Sequence, residues 1–165
     1  MLTLRTGLIT TTVFQENSVI KMEITRLTKE DCHSLALLDS LCFSCPFSYN
    51  DFISYIDSPI WHIFVAKEGG EVLGYISLTL ICDEGQIVNV AVFENARGRG
   101  AGKALVKKAL DVCRENGAKN VFLEVRESNS VAISLYESVG FRRLGILKNH
   151  YQKPRENALS MSLSL

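Results

Sequence analysis

The apolar run Gly85 to Phe93 is followed closely by Arg97-Gly98-Arg99-Gly100-Ala101-Gly102, and that glycine turn opens directly into a helical pattern. Leu105, Ala109 and Val112 share one stripe of the helix, and Gly117 is placed as its left-handed stop. A strand that ends in a glycine turn and a one-sided helix must lay the helix back on a sheet, so the chain is constrained to layers of helix on strand. The turn is also a chemical signal. Glycines at 98, 100 and 102 let backbone N–H groups approach an anion, and the helix N-terminus directs about half a positive charge at the same point. A pyrophosphate suits such a site, lined by Arg97, Gly98, Arg99, Gly100, Ala101, Gly102 and Lys103; the plainer alternative is a basic surface turn. No Gly-Lys-Ser/Thr follows, so this is not a P-loop, and the glycine spacing is not the GxGxxG of dinucleotide folds.

The remaining elements fit the same architecture. Met22-Glu-Ile-Thr-Arg26 begins the first regular pattern, which leaves residues 1–21 as an extension, a flexible arm or an over-long start, and 22–165 as the folded domain. Thr28 with Asp31 resembles a helix cap, and Cys32, Leu35, Leu38 and Cys42 then recur at helical steps. The aromatic segment Pro46 to Ile56 reads as a short helix or a loop. Trp61 to Lys67 and Glu71 to Cys82 read as strands of a hairpin closed by Gly69-Gly70. In Lys119 to Arg126, Val121, Leu123 and Val125 alternate with Phe122 and Glu124, so the strand turns Glu124 to the face opposite the valines. A short helix starts near Ser128-Asn129, puts Ala132, Leu135, Tyr136 and Val139 on one side and ends at Gly140. Arg142 to Leu147 and the alternating tail from Leu159 to Leu165 are two further strands. The order implies an α/β chain with a mixed sheet flanked by helices.

Composition narrows what such a domain can do. At 165 residues there is room for one domain but not for a second catalytic one. The 18 basic and 18 acidic residues cancel, so no global field draws the chain to nucleic acid or to an anionic membrane, and any anion site is local. No uncharged apolar stretch reaches about 18 residues, and Met1 to Lys21 lacks the core of a signal peptide, so a cytoplasmic address is expected. Five cysteines, lying mostly inside apolar patterns, are read as reduced core thiols rather than a disulfide frame; Cys42 and Cys45 have CxxC spacing but lack the partners of a zinc site. His33, His62 and His150 form no ligand cluster, and no metal is expected.

Two stretches carry a resemblance. Val90-Ala-Val-Phe followed by Arg97-x-x-Gly100-x-Gly102 is similar to the Q/R-x-x-G-x-G/A motif of the GNAT superfamily of N-acetyltransferases. Leu123-Glu-Val-Arg-Glu-Ser-Asn129 and Ile133-Ser-Leu-Tyr-Glu-Ser-Val-Gly-Phe141 resemble the signature of its bacterial RimI type, the ribosomal-protein alanine N-acetyltransferases. The likeness runs from about Met22 to Leu165. It implies the GNAT acyl-CoA N-acyltransferase fold, in which two sheet halves splay apart around acetyl-CoA. It further implies that Val90, Ala91 and Val92 receive the acetyl and pantetheine part, that the glycine turn binds the pyrophosphate, and that Asn129 contacts the cofactor. By the same likeness Glu124 is the general base and Tyr136 the general acid, and the acceptor is a protein N-terminus, that of a small-subunit ribosomal protein starting with Ala. Two departures, His150-Tyr151 where paired tyrosines are usual and Pro46-Phe47 where Pro-Trp is common, fall where the family handles its protein substrate.

The chemistry asks for these groups. An amine must be neutral to attack a thioester; at pH 7 an α-amine of pKa about 8 needs roughly 1 to 1.5 kcal/mol to lose its proton, and a lysine near 10.4 needs nearly 5. Glu124 is expected to take that proton, an N–H near Val92 to hold the oxyanion, and Tyr136 to protonate the departing sulfur. A lysine or small-amine acetyltransferase, and a non-catalytic acyl-CoA-binding module, remain the alternatives; the second needs neither Glu124 nor Tyr136.

Overall fold

The computed structural model describes residues 21–165, so the expected N-terminal extension lies, but for Lys21, outside the described residues. Seven strands form one mixed sheet: β1 (Glu23–Arg26), β2 (Trp61–Glu68), β3 (Glu71–Ile81), β4 (Glu84–Val92), β5 (Asn120–Arg126), β6 (Arg142–Gln152) and β7 (Arg155–Ser164). Their order is β1-β2-β3-β4-β5-β7-β6, and only the central β4–β5 pair is parallel. Helices α1 (Cys32–Cys42) and α2 (Tyr49–Tyr55) cover one face, and α3 (Ala101–Glu115) and α4 (Ser130–Ser138) the other. The alternation of β2 supplies both layers, since Phe64 and Ala66 pack toward α3 while Ile63 and Val65 pack toward α1 and α2.

Local signals account for most boundaries. Ser48 and Asp51 make a reciprocal capping box, Asp51 N–H to Ser48 Oγ at 3.2 Å and Ser48 N–H to the Asp51 carboxylate at 2.7 Å, so the segment left open as helix or loop is a helix. Gly117 and Gly140 take positive φ after α3 and α4, as their placement predicts. The α3 stripe is wider than Leu105, Ala109 and Val112, with Ala101, Val106, Leu110 and Cys113 also buried. Three expectations are corrected. Cys42 is exposed and Asp39 takes the buried place on α1; Cys45 and Cys82 are exposed too, leaving Cys32 and Cys113 as the core thiols. Strand β6 runs on from Leu147 to Gln152, because pairing with β7 extends it past its apolar part.

The strand pairing that shapes the site fails at one residue. Ser77 of β3 faces Asn89 while its neighbour Leu78 faces Ile87, which leaves Val88 as an extra residue in β4, a β-bulge. The bulge reverses the faces of β4: Ile87 belongs to the core under α3, whereas Asn89 and Ala91 turn toward α1 and Val90 and Val92 toward α3. The parallel ladder to β5 ends at the same place, Ile87 opposite Leu123 being its last pair. Beyond it Val88–Val92 and Glu124–Arg126 run apart, so the sheet is open between its two central strands. Gly74 makes the bend possible on the other side, because a Cβ there would stand 2.5 Å from the Ala91 carbonyl oxygen.

A buried carboxylate ties the α1 layer to this bent strand. Asp39 is fully buried and accepts hydrogen bonds from the Phe47 N–H at 2.5 Å, from Asn89 Nδ2 at 3.2 Å and from the Tyr75 hydroxyl. Burial raises the Asp39 carboxyl above its ordinary range while these three donors pull it down, and burial beside Asp39 likewise holds the Tyr75 phenol up. Asp39→Ala orphans all three donors in a dry layer and is expected to destabilise the domain by about 3 to 5 kcal/mol, lowering Tm by roughly 10 °C, with Asp39→Asn intermediate. Thermal melts of the three proteins check this; a Tm for Asp39→Ala within about 2 °C of the parent contradicts it.

Candidate active site

The opening between β4 and β5 exposes a strip of main chain. Phe93 N–H bonds to Leu73 O at 2.9 Å and Asn89 N–H to Ser77 Oγ at 3.1 Å, so both point toward β3. Alternation along a strand then turns the N–H groups of Val90 and Val92 the other way, into the opening. Among the described residues these donors have no ladder partner, and they lie at the carboxyl end of a parallel pair, where α/β sheets hold their ligands.

The glycine turn follows at the end of that strip. Gly98 and Gly100 have φ of 75° and 87°, a left-handed conformation that lets the turn face its N–H groups outward. Ala104 N–H is bonded to Gly100 O at 3.0 Å; among the described residues the N–H groups from Gly98 to Lys103 have no acceptor. Six successive donors at the start of a 15-residue helix make an anion cradle. A Cβ on Gly98 or Gly100 meets nothing within 4 Å, so neither is packed shut, while one on Gly102 would touch Leu135 of α4 at 3.4 Å. Ala101 is buried and anchors the helix start. The two arginines are engaged with the protein itself: Arg97 Nε donates to Val92 O at 3.2 Å, and Arg99 pairs with Glu68 of the β2–β3 hairpin.

Across the opening stand the residues of β5 and α4. Glu124 faces away from Val121, Leu123 and Val125 as its alternation requires, and its carboxylate lies 2.9 Å from His150 Nε2 of β6. It is about one-third exposed, so it meets the cleft as a hydrogen-bonded surface group and not as a carboxyl sealed in an apolar pocket. Tyr151 places its hydroxyl 3.4 Å from Glu124 O and its ring 4.1 Å from the Arg126 guanidinium. Asn129 caps α4 by accepting from Ala132 N–H at 3.1 Å. Tyr136 is 7% exposed and stands edge-on to Phe141. Burial, with Tyr151 nearby, pushes its phenol up to about 12.

The sequence-predicted residues thus fall on the two lips of one opening, Val90 to Lys103 on one side and Glu124, Asn129 and Tyr136 on the other. Missing from the prediction are Asp39, Tyr75 and Asn89, which brace the first lip, and the contact of His150 with Glu124. Two polar residues inside apolar runs, Asp39 in Leu-Ala-Leu-Leu-Asp and Asn89 in Ile-Val-Asn-Val-Ala-Val, were the available signal for the brace. Among the described residues no group of three His, Cys, Asp or Glu side chains is set to hold a metal, and no helix is long and apolar enough to cross a membrane.

The chain resembles known proteins in sequence and in fold. Residues 30–141 match the acetyltransferase (GNAT) family. A ribosomal protein bS18-alanine N-acetyltransferase of Haemophilus influenzae is 39% identical over 101 residues, covering 59% of this chain and 68% of its own. An N-alpha-acetyltransferase of Sulfurisphaera tokodaii is 33% identical over 153 residues, covering 85% and 90%. The crystal structure of the ribosomal-protein-S18-alanine N-acetyltransferase from Escherichia coli superposes with a TM-score of 0.78 at 29% identity, covering 87% of this chain and 94% of that one. With its splayed seven-strand sheet, its open glycine turn and a family match over most of its length, the chain belongs to the GNAT family of acetyltransferases and is of the RimI type.

Proposed function

We propose that this protein transfers the acetyl group of acetyl-CoA to the N-terminal α-amine of a protein, with an alanine-starting ribosomal protein bS18 as acceptor and the cytoplasm as its place of work. The observation that carries the reaction is the opening between β4 and β5, flanked by unbonded N–H groups on one lip and by Glu124 on the other. The acceptor is inferred from the relatives named for bS18-alanine acetylation.

The residues present fit the cofactor. The Gly98–Lys103 donors suit a pyrophosphate, the Val90 and Val92 N–H groups suit the amide-bearing pantetheine arm, and the Asn129 side-chain amide is a further donor at the start of α4. Acetyl-CoA, when bound, supplies an acetyl thioester and leaves as the CoA thiol. Glu124 takes the proton of the attacking amine, a step that asks roughly 1 to 1.5 kcal/mol of an α-amine at pH 7 and nearly 5 of a lysine. The Val92 N–H is available to the thioester oxygen. Tyr136 serves by donating a hydrogen bond. It also gives the departing sulfur its proton, so that CoA leaves as the thiol, and regains a proton from solvent; burial raises the phenol and raises a thiol held beside it likewise.

A panel of an Ala-starting peptide, its N-blocked lysine-containing form and common small amines, incubated with labelled acetyl-CoA, tests the acceptor. Label confined to the free N-terminus is expected; label on lysine or on a small amine replaces the acceptor, and binding without transfer promotes a non-catalytic module. Glu124→Gln is expected to lower turnover by about a hundredfold or more with acetyl-CoA affinity unchanged, and unaltered turnover refutes the base. Gly100→Asp is expected to abolish acetyl-CoA binding in a folded protein. Its side chain enters open space, so the loss comes from a carboxylate facing the pyrophosphate and from strain at φ 87°; normal affinity by calorimetry rules out the cradle.

A further inference from the structure

The contact between His150 and Glu124 is built by an irregularity in β6. Leu147 faces Ala158 and Tyr151 faces Glu156, so Lys148, Asn149 and His150 stand opposite the single residue Asn157. Such a bulge re-aims side chains, and this one is held from three directions. Asn149 sits at φ 54°; its N–H donates to Asn157 Oδ1 at 3.0 Å, its Oδ1 accepts from Arg155 Nε at 3.0 Å, and its carbonyl accepts from Gln152 Nε2 at 2.9 Å. The pinned bulge swings His150 against β5, where Nε2 reaches Glu124 Oε2 at 2.9 Å, while the ring packs edge-on to Tyr151 with centroids 5.0 Å apart. The imidazole is 38% exposed, so it touches both the carboxylate and solvent.

We propose that His150 is the positioning residue and proton outlet of Glu124: it fixes the carboxylate toward the opening and carries the abstracted proton onward to water. The inference rests on Glu124 being the base. In each turnover the amine proton moves to a Glu124 oxygen; the solvent-touching imidazole exchanges to its Nδ1–H tautomer, accepts that proton at Nε2 and loses the Nδ1 proton to solvent, so the carboxylate and the Nε2–H imidazole are restored. The other charged and titratable groups about this pair are Tyr151 beside it, Arg126 stacked on that ring, Glu156 of β7 bonded to Arg126, Tyr136 of α4 and Arg155 on the bulge. None of these makes a hydrogen bond or ion pair with the Glu124 carboxylate; among the described residues His150 does.

The pH dependence of kcat/KM for the acceptor peptide reads this directly. Protonation of the amine alone lowers log kcat/KM with a slope of about one per pH unit below pH 8; a second group required in its unprotonated form steepens the slope toward about two. The parent enzyme is expected to show the steeper limb, and His150→Gln and His150→Tyr the shallower one, with kcat/KM at pH 8 reduced about tenfold and acetyl-CoA Kd unchanged. Equal slopes in parent and variants overturn the proposal. A second measurement needs no acceptor: the 15N resonances of the His150 ring are expected to move in Glu124→Gln, and unchanged ring resonances also overturn it. The base reading fails on its own terms if Glu124→Gln keeps full turnover, whereas the outlet fails with Glu124→Gln inactive and the His150 variants unaltered in slope.

Discussion

The extra residue in β4 is the constraint on which the rest depends. Two parallel strands in register would pair along their whole length and leave no main-chain donor free. Val88 breaks that register, and three consequences follow from the one insertion. The β4–β5 ladder stops at Ile87 and Leu123, the N–H groups of Val90 and Val92 face an opening instead of a neighbour, and Asn89 turns from one helical layer to the other. Unpaired main chain is expensive in a dry interior, so the arrangement is stable only where a ligand or water meets those donors. The site is therefore a defect in the sheet that the surrounding residues hold open.

What holds it open is the polar brace under α1. Ser77 satisfies the displaced Asn89 N–H, Asn89 reaches Tyr75 and Asp39, and Asp39 reaches the Phe47 N–H at the entrance to α2. Each link is modest, but a buried polar group that loses its partner costs about 1 to 3 kcal/mol, so the bulged path is strongly preferred to a slipped one. The brace also ties two layers together. Phe47 packs edge-on to Phe52, Tyr55 and Trp61 in the layer of α2, while Asn89 belongs to β4, whose Val90 and Val92 N–H groups line the opening.

Legibility followed the range of the signal. The glycine turn, the cap at Asn129 and the alternation around Glu124 are local, and each stands where the pattern put it. The bulge is invisible in β4 taken alone, because an extra residue exists only relative to a partner strand. Asn89 marks it in hindsight: a polar residue in a run of branched apolar ones needs a buried partner, and the partner, Asp39, lies 50 residues earlier. His150 was legible as a departure from the usual tyrosine but not as a neighbour of Glu124, since the contact requires the β6 bulge and the placement of β7 between β5 and β6. The segment left open between helix and loop is the ordered helix α2, and the stretch after Leu147 belongs to the β6–β7 hairpin.

Charge completes the picture of the cradle. The chain is electrically neutral overall, with 18 basic and 18 acidic residues, so no long-range field gathers an anionic cofactor, and capture depends on groups at contact range. Two of those groups are already occupied, Arg97 by Val92 O and Arg99 by Glu68. Neither engagement is a strong one. The Arg99 side chain is 46% exposed and Glu68 27%, and an ion pair so solvated contributes about 0 to 1 kcal/mol, less than a phosphate offers in its place. The pair limits the rotamers of Arg99 and is exchanged for another anion at small cost. In the proposed complex the main-chain donors, not the arginines, set the place of the pyrophosphate.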